Sequence, residues 1–248
     1  MPPLGLSARK TLARDGFALV PDVLSAAQVE HLRAVGADAA GLKRGAGSYG
    51  GRNLLALREV RNLAALRAVR DLVEPVVGNS ALPVRALFFD KTPDANWPVQ
   101  WHQDLAIAVA SHHDLAGWGP WSVKAGVAHF EPPADLLANM LTVRLHLDDC
   151  HADNGPLRVI PGSHAIGRLS RERIRAITAK QDAVTCVAAA GAALLMRPLL
   201  LHASSPARRP EHRRVLHLEF AMRTALPRPL AWAFDQDLAL VDPAVGSA

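Results

Sequence analysis

The sequence predicts a mainly β fold with flanking helices, organised as a double-stranded β-helix, the jelly-roll (cupin-like) barrel. Three observations predict it. From Val84 onward, short β-forming stretches recur between clusters of Pro, Gly, Asn and Asp. The clearest of them sets Leu141, Val143, Leu145 and Leu147 against Thr142, Arg144, His146 and Asp148, the period of a strand with one apolar face. Ahead of them, apolar residues recur at helical spacing. With 248 residues the chain suffices for one substantial core, so 1–248 reads as a single domain, a helical part of about 1–80 packing on a jelly-roll core of about 81–225.

Asp15 and Gly16 introduce a short strand, Phe17 to Val20. Ser25 followed three positions later by Gln28 is a capping-box signature, and Val29, Leu32 and Val35 form the stripe of the helix that starts there. The stretch GLKRGAGSYGGRN is Gly-rich but lacks the preceding strand and the GK[ST] ending of a phosphate loop, so it reads as a flexible connector. A second helix is expected over Leu63 to Val77, ended by Gly78. The strand candidates are then Val84 to Asp90, Val99 to Leu105, Leu141 to Leu147, Leu157 to Ile160, Val184 to Val187, Ala192 to Met196, Leu199 to Ala203 and Val215 to Met222, which suits two stacked sheets. Ala106 to Phe130, with Trp118, Trp121, His112 and His113, reads as a long connection at a pocket mouth, its tryptophans either ligand contacts or packed core. Arg168 to Lys180 reads as an exposed charged helix. In DNGPLRVIPGSH, Gly155, Pro156, Pro161 and Gly162 read as turns.

The net charge of +5 and pI near 9.8 raise the question of nucleic acid, but the arginines are dispersed and few aromatics are interleaved with them, the pattern of a solvated surface. No run of eighteen apolar residues occurs, and MPPLGLSARK lacks a secretory hydrophobic region. A soluble cytoplasmic protein with neither nucleic acid nor membrane as partner is expected, its oligomeric state open. Cys150 and Cys186 show no metal-binding spacing and are expected to be reduced thiols.

Chemistry concentrates in His102, Gln103 and Asp104, with His202 one hundred positions on and Arg213 beyond it. In an extended segment residues i and i+2 point the same way, so His102 and Asp104 can converge on one ion. A distant histidine completes two imidazoles and a carboxylate on one face of an octahedron, leaving positions open for an oxygen-activating iron. The plain alternative is that HxD arises by chance in a chain with 11 His. Context favours the site, because His202 ends the apolar run Leu199, Leu200, Leu201 and a tryptophan precedes His102. Between His202 and Arg213, SSPARRPEH is rich in turn formers and reads as a hairpin that sets the two near one another. Arg213, Val215, His217 and Glu219 share a mixed face, Arg214, Leu216, Leu218 and Phe220 a mostly apolar one; the mixed face is the expected cavity wall, although solvent could face it instead. His112, His113, His129, His146 and His151 have no such i+2 carboxylate and are not assigned to a metal.

Four blocks in order, DGFALVPDVLSAAQVEHLRA, FFDKTPDANWPVQWHQDLAIAV, LTVRLHLDDCHADNGPLRVIPGSH and RPLLLHASSPARRPEHRRVLHLEFA, make the chain resemble the phytanoyl-CoA dioxygenase family of iron(II)- and 2-oxoglutarate-dependent oxygenases from about Asp15 to about Arg223. The resemblance implies His102, Asp104 and His202 as iron ligands, Arg213 as the holder of the far carboxylate of 2-oxoglutarate, and Lys91 as a second group reaching a carboxylate. The alternation in LTVRLHLD leaves Thr142 and Arg144 either touching cosubstrate or substrate, if the polar set faces the barrel lumen, or solvated. The resemblance also implies O2 as a reactant, succinate and CO2 as products, and a small-molecule substrate. Because Asp104 keeps the carboxylate that related halogenases lack, hydroxylation is favoured over chlorination. A nucleic-acid- or protein-modifying oxygenase and a non-catalytic binding barrel are the alternatives.

Overall fold

The computed structural model describes residues 4–40 and 50–235. Four helices, α1 (Leu6–Asp15), α2 (Ala26–Ala40), α3 (Arg58–Ala65) and α4 (Arg67–Val77), with two strands, β1 (Phe17–Val20) and β2 (Gly50–Gly51), precede the main body. There follow β3 (Ala81–Lys91), β4 (Val99–His102), β5 (Ile107–Val109), β6 (Trp121–Lys124), β7 (Val127–Phe130), α5 (Ala134–Ala138) and β8 (Leu141–His146). The last elements are β9 (Leu157–Val159), α6 (Arg171–Thr178), β10 (Val184–Cys186), β11 (Ala193–Met196), β12 (His202–Ser204) and β13 (Arg213–Met222).

Two antiparallel sheets result, one in the order β1-β11-β8-β13-β3-β2 and the other β10-β9-β12-β4. The chain passes between them as it goes from β3 to β4, β4 to β8, β8 to β9, β10 to β11, β11 to β12 and β12 to β13, which is the winding of a jelly roll. The two sheets do not close into one hydrogen-bonded barrel. Each of the eight strands expected from Val84 onward is one strand of this pair, with ends shifted by a few residues.

Alternation explains how the larger sheet is used. Leu141, Val143, Leu145, Leu216, Leu218 and Phe220 join one apolar cluster with Leu12, Val29, Leu32, Leu63 and Leu72 of the helices, so helices cover its outer face. Thr142, Arg144, His146, His217 and Glu219 therefore turn inward between the sheets, and all are buried. Of the polar set expected on this strand, Thr142, Arg144 and His146 of β8 face the lumen and not water, whereas Asp148, beyond the strand end, pairs with Arg214 on the other side. Close helix approach needs Gly36, where a Cβ would stand 2.3 Å from the Phe88 ring.

The capping box forms as expected: the Ser25 amide donates to Gln28 Oε1 at 2.8 Å and the Gln28 amide to Ser25 Oγ at 3.3 Å. The helix expected over Leu63 to Val77 is two helices, broken at Leu66, whose backbone is extended at ψ 138. Neither Gly nor Pro marks that break. Pro75 sits inside α4, and the Asp71 carbonyl it leaves without an intrahelical donor accepts from the Leu4 amide at 3.0 Å. The long connection expected over Ala106 to Phe130 instead carries a sheet of its own, β5-β7-β6. Its β6–β7 turn places Ala125 and Gly126 at φ 49 and 80, as a tight hairpin demands. Trp118 and Trp121 stack on Phe130 at 4.7 and 3.8 Å between centroids and belong to an apolar cluster. The hairpin expected between His202 and Arg213 does not form, because β12 pairs with β4 and β9 while β13 pairs with β3 and β8. The turn formers carry the chain from one sheet to the other. Of the connector expected over 41–53, residues 41–49 lie outside the described residues. No described helix is long and apolar enough to cross a membrane, and Cys150 and Cys186 are unpaired and buried.

Candidate metal centre

Antiparallel pairing of β4 with β12 sets His102 directly opposite His202, and their rings lie 4.1 Å apart. β4 ends at His102. Beyond it the Asp104 amide donates to the Pro198 carbonyl at 2.9 Å, and Gln103 turns away from its neighbours: its Nε2 donates to the carbonyls of Gly167 and Leu199 at 2.8 and 2.7 Å, and its Oε1 accepts from the Leu169 amide at 2.9 Å. The middle residue of the triplet is thus the anchor. Asp104 Oδ1 lies 3.8 Å from His102 Nε2 and Oδ2 lies 3.7 Å from His202 Nε2, and one ligand atom from each residue fits within 4.8 Å of the others.

Each imidazole is oriented by the backbone two residues before it. His102 Nδ1 meets the Gln100 carbonyl at 2.8 Å and His202 Nδ1 the Leu200 carbonyl at 2.9 Å. A carbonyl only accepts, so both Nδ1 atoms carry the proton and both Nε2 lone pairs are free for a cation. Burial pushes the His202 imidazolium down to about 4 although Asp104 opposes that shift, so it is the neutral ring that stands here. Burial opposes ionisation of the Asp104 carboxyl, yet the group lies below its usual range, and with the imidazoles neutral the guanidinium of Arg85 supplies standing positive charge near it. Asp104 Oδ2 is enclosed and accepts no hydrogen bond. A buried anionic oxygen without a donor, beside two aimed lone pairs, fits a divalent cation.

The three residues line a cavity of ≈ 440 Å³ between the sheets that also includes Lys91, Arg144, Ser204, Arg213 and His217. Arg213 and Lys91 are direct partners across β13 and β3. Arg213 Nη1 donates to the Gly155 carbonyl at 2.8 Å, while its Nε is buried without a partner. Lys91 Nζ donates to Ser204 Oγ at 3.2 Å and to the Ser205 carbonyl at 2.7 Å. Arg214 points to the other side, where Nε and Nη2 grip Asp148 at 2.8 and 2.7 Å. Alternation thus puts Arg213 inside and Arg214 outside. Arg144 lines the cavity; Thr142, fully buried and opposite Glu219 and Met196 in register, does not, so the contact with cosubstrate expected of it has no support in its placement.

Sequence reasoning missed Ser204, two residues beyond His202, and the chain of groups across the cavity wall. Arg144 Nη1 donates to His217 Nδ1 at 2.9 Å, His217 Nε2 then donates to Glu219 Oε1 at 3.2 Å, and Arg85 Nη1 donates to the same oxygen at 2.9 Å. His217-Leu218-Glu219 is a second His-x-carboxylate step on a strand, and it lies with Asp104 in a second cluster of possible ligands. The i+2 spacing in VLHLEF was the signal for it. Two guanidinium groups already occupy that pair, which sets it against a cation. Among the described residues, the His102, Asp104 and His202 cluster carries no such competitor.

The structure is similar to that of EctD from S. alaskensis in its apoform (TM-score 0.69, 18% identity, 92% of this chain and 81% of that one). It is also similar to the non-heme alpha ketoglutarate dependent epimerase SnoN from nogalamycin biosynthesis (0.64, 20%, 88% and 82%) and to HygX from Streptomyces hygroscopicus with nickel and 2-oxoglutarate bound (0.65, 15%, 90% and 89%). These likenesses establish the jelly-roll fold. No curated protein sequence matches significantly. The family description "Phytanoyl-CoA dioxygenase (PhyH)" matches residues 12–215, a span that contains all three candidate ligands and Arg213. The chain belongs to the phytanoyl-CoA dioxygenase family, whose members depend on iron(II) and 2-oxoglutarate.

Proposed function

We propose that the protein hydroxylates a small molecule, with His102, Asp104 and His202 as the iron(II) ligands and with Arg213, Lys91 and Ser204 receiving the far carboxylate of 2-oxoglutarate. One observation carries this reading: two Nε2 lone pairs and an unpartnered carboxylate oxygen converge in the cavity that also holds the unpartnered Nε of Arg213. Iron bound there with 2-oxoglutarate supplies the activation of O2. The chain supplies position. Gly155 fixes one end of the Arg213 guanidinium and leaves its planar fork for a carboxylate, which an arginine binds with two parallel hydrogen bonds. Ser204 and Lys91 add a hydroxyl and a charge beside it. The protein's remaining task is to enclose the reacting groups and exclude bulk water.

Asp104 keeps its carboxylate at the metal, which supports hydroxylation over halogenation. SnoN is an epimerase, and SnoK from the same nogalamycin biosynthesis, also similar to this structure (TM-score 0.63, 16% identity, 89% of this chain and 85% of that one), is a carbocyclase; that supports a second outcome on the same centre. Product mass separates them: hydroxylation adds one oxygen atom, epimerisation changes nothing, and cyclisation removes two hydrogens. The first test needs no substrate. Anaerobic iron(II) should bind one per chain, 2-oxoglutarate should then produce a visible charge-transfer absorption, and O2 should release succinate. An iron-loaded protein that shows no absorption change with 2-oxoglutarate would contradict the proposal.

Lys91 makes the cosubstrate affinity pH-dependent. Burial, aided by the charge of Arg213, pulls its ammonium from 10.5 down to about 8. A carboxylate needs the charged form. Affinity for 2-oxoglutarate should therefore be level below about pH 7 and fall as pH rises above 8, and Lys91→Gln should be weaker but flat over that range. The ligand-free fold should respond in the opposite direction. Between about 8 and 10.5 the unfolded chain binds the extra proton, so stability contributed by this group rises with pH. Titrations of 2-oxoglutarate across pH check the first statement and denaturant midpoints the second.

A further inference from the structure

We propose that the substrate carries an anionic group, a carboxylate or a phosphate, received by Arg52 and Lys124 on the wall of the iron cavity. The inference rests on the oxygenase reading and adds a substrate class to it.

Charge accounting leads there. Six cationic side chains line the cavity, Arg52, Arg85, Lys91, Lys124, Arg144 and Arg213, against two carboxylates, Asp104 and Glu131. Most already have employment. Arg85 is neutralised by Glu219, Arg144 donates to His217 and lies over the Phe89 ring, and Lys91 and Arg213 face the cosubstrate. Asp104 sits between the two imidazoles, and Glu131 is engaged by Arg168 at 3.3 Å. Arg52 and Lys124 remain, and neither has an acceptor among the described residues. Arg52 Nη1 is enclosed from water without a partner. A buried charged donor left in that state costs more than an exposed one, so the arrangement is stabilised when an anion fills it.

The two cations come from different parts of the chain and are brought together by the fold. Arg52 follows β2, which pairs with β3 at Phe88 and Phe89. Lys124 ends β6, just before the tight turn at Ala125 and Gly126. Asn53 Nδ2 donates to the Ala125 carbonyl at 2.9 Å and ties the two segments side by side. Burial and the nearby charge of Arg85 draw the Lys124 ammonium below its usual range, against the opposing pull of Glu219, Glu131 and Asp104, none of which reaches it as a hydrogen-bond partner. Leu87, Val99, Leu105 and Trp97 offer apolar wall for the rest of such a molecule. At ≈ 440 Å³, shared with the cosubstrate, the cavity favours a compound of modest size. A cationic amine would meet repulsion from the same two groups.

The test uses the anaerobic protein loaded with iron(II) and 2-oxoglutarate at constant chloride. It is titrated with inorganic phosphate and with the matched pair hexanoate and hexylamine, and binding is read from the charge-transfer absorption and from tryptophan fluorescence. Phosphate and hexanoate should bind saturably and hexylamine should not. The double variant Arg52→Gln/Lys124→Gln should weaken both anions by about ten-fold or more, with affinity for 2-oxoglutarate within two-fold of the parent. The charge-keeping double variant Arg52→Lys/Lys124→Arg should retain anion binding, which excludes a general loss of fold. Equal binding of hexylamine, or anion binding undiminished in the glutamine variant, overturns the proposal. Failure of the oxygenase reading shows separately, as absence of the charge-transfer absorption before any probe is added.

Discussion

His102→Ala is expected to abolish stoichiometric iron(II) binding and to lower succinate formation by at least roughly 100-fold. Groups that merely orient metal ligands already cost about 10- to 100-fold when removed, and a ligand atom itself matters more. His102 is the informative choice because its side chain is 40% exposed, whereas that of His202 is 4% exposed. Truncating a half-exposed side chain changes stability by about 0.5 kcal/mol or less, so loss of metal will not be confused with loss of fold. Metal analysis after anaerobic reconstitution, with the denaturation midpoint of the metal-free protein, gives both numbers. His217→Ala is the matching control. It removes the competing His-x-carboxylate step while leaving the three candidate ligands in place, so iron stoichiometry should remain one. Full iron uptake by the His102 variant together with loss in the His217 variant would move the metal to the second cluster.

The second large effect concerns the cosubstrate. Arg213→Ala should raise the dissociation constant for 2-oxoglutarate by at least about 100-fold, since hydrogen bonds to charged groups are worth about 1.5–3 kcal/mol each and the arginine fork offers two. Arg213→Lys should recover only part of this, because an ammonium is a point charge without the paired geometry. Arg214→Ala tests the neighbouring residue. That side chain grips Asp148 outside the cavity, so its loss should leave 2-oxoglutarate affinity unchanged and cost about 1 kcal/mol of stability. Titrations followed by the charge-transfer absorption distinguish the two arginines directly. Equal effects of the two alanine variants on affinity would mean that strand alternation has not separated them.

Much of this molecule is readable in local pattern. Ser25 and Gln28 announce a helix start because the capping box closes within four residues. The apolar set of β8 and the mixed set of β13 are visible because a strand alternates sides with every residue. The His102–Asp104 step is visible for the same reason. What escaped shares one property: it leaves no mark in local pattern. The break at Leu66 carries no Gly or Pro, so no residue type announces the end of α3. β5, β6 and β7 are three or four residues each, too short for a period to register. Thr142 and Arg144 share a face, yet only Arg144 reaches the cavity, since position along the strand, not alternation, decides how far a side chain stands from the open space.

Taken alone, the letters determined a set of candidate metal ligands, which arginine lies on the polar side of its strand, and that eight β segments follow a helical beginning, all consequences of side-chain direction and turn chemistry along a single segment. Tertiary structure decided that the polar faces meet each other instead of water, that His202 and Arg213 reach one cavity from separate sheets, and that Arg52 and Lys124 line that cavity with no acceptor among the described residues. The physical reason is that strand periodicity says which way a side chain points relative to its own backbone. What it points at is set by pairing between segments a hundred or more residues apart, as His102 with His202 shows.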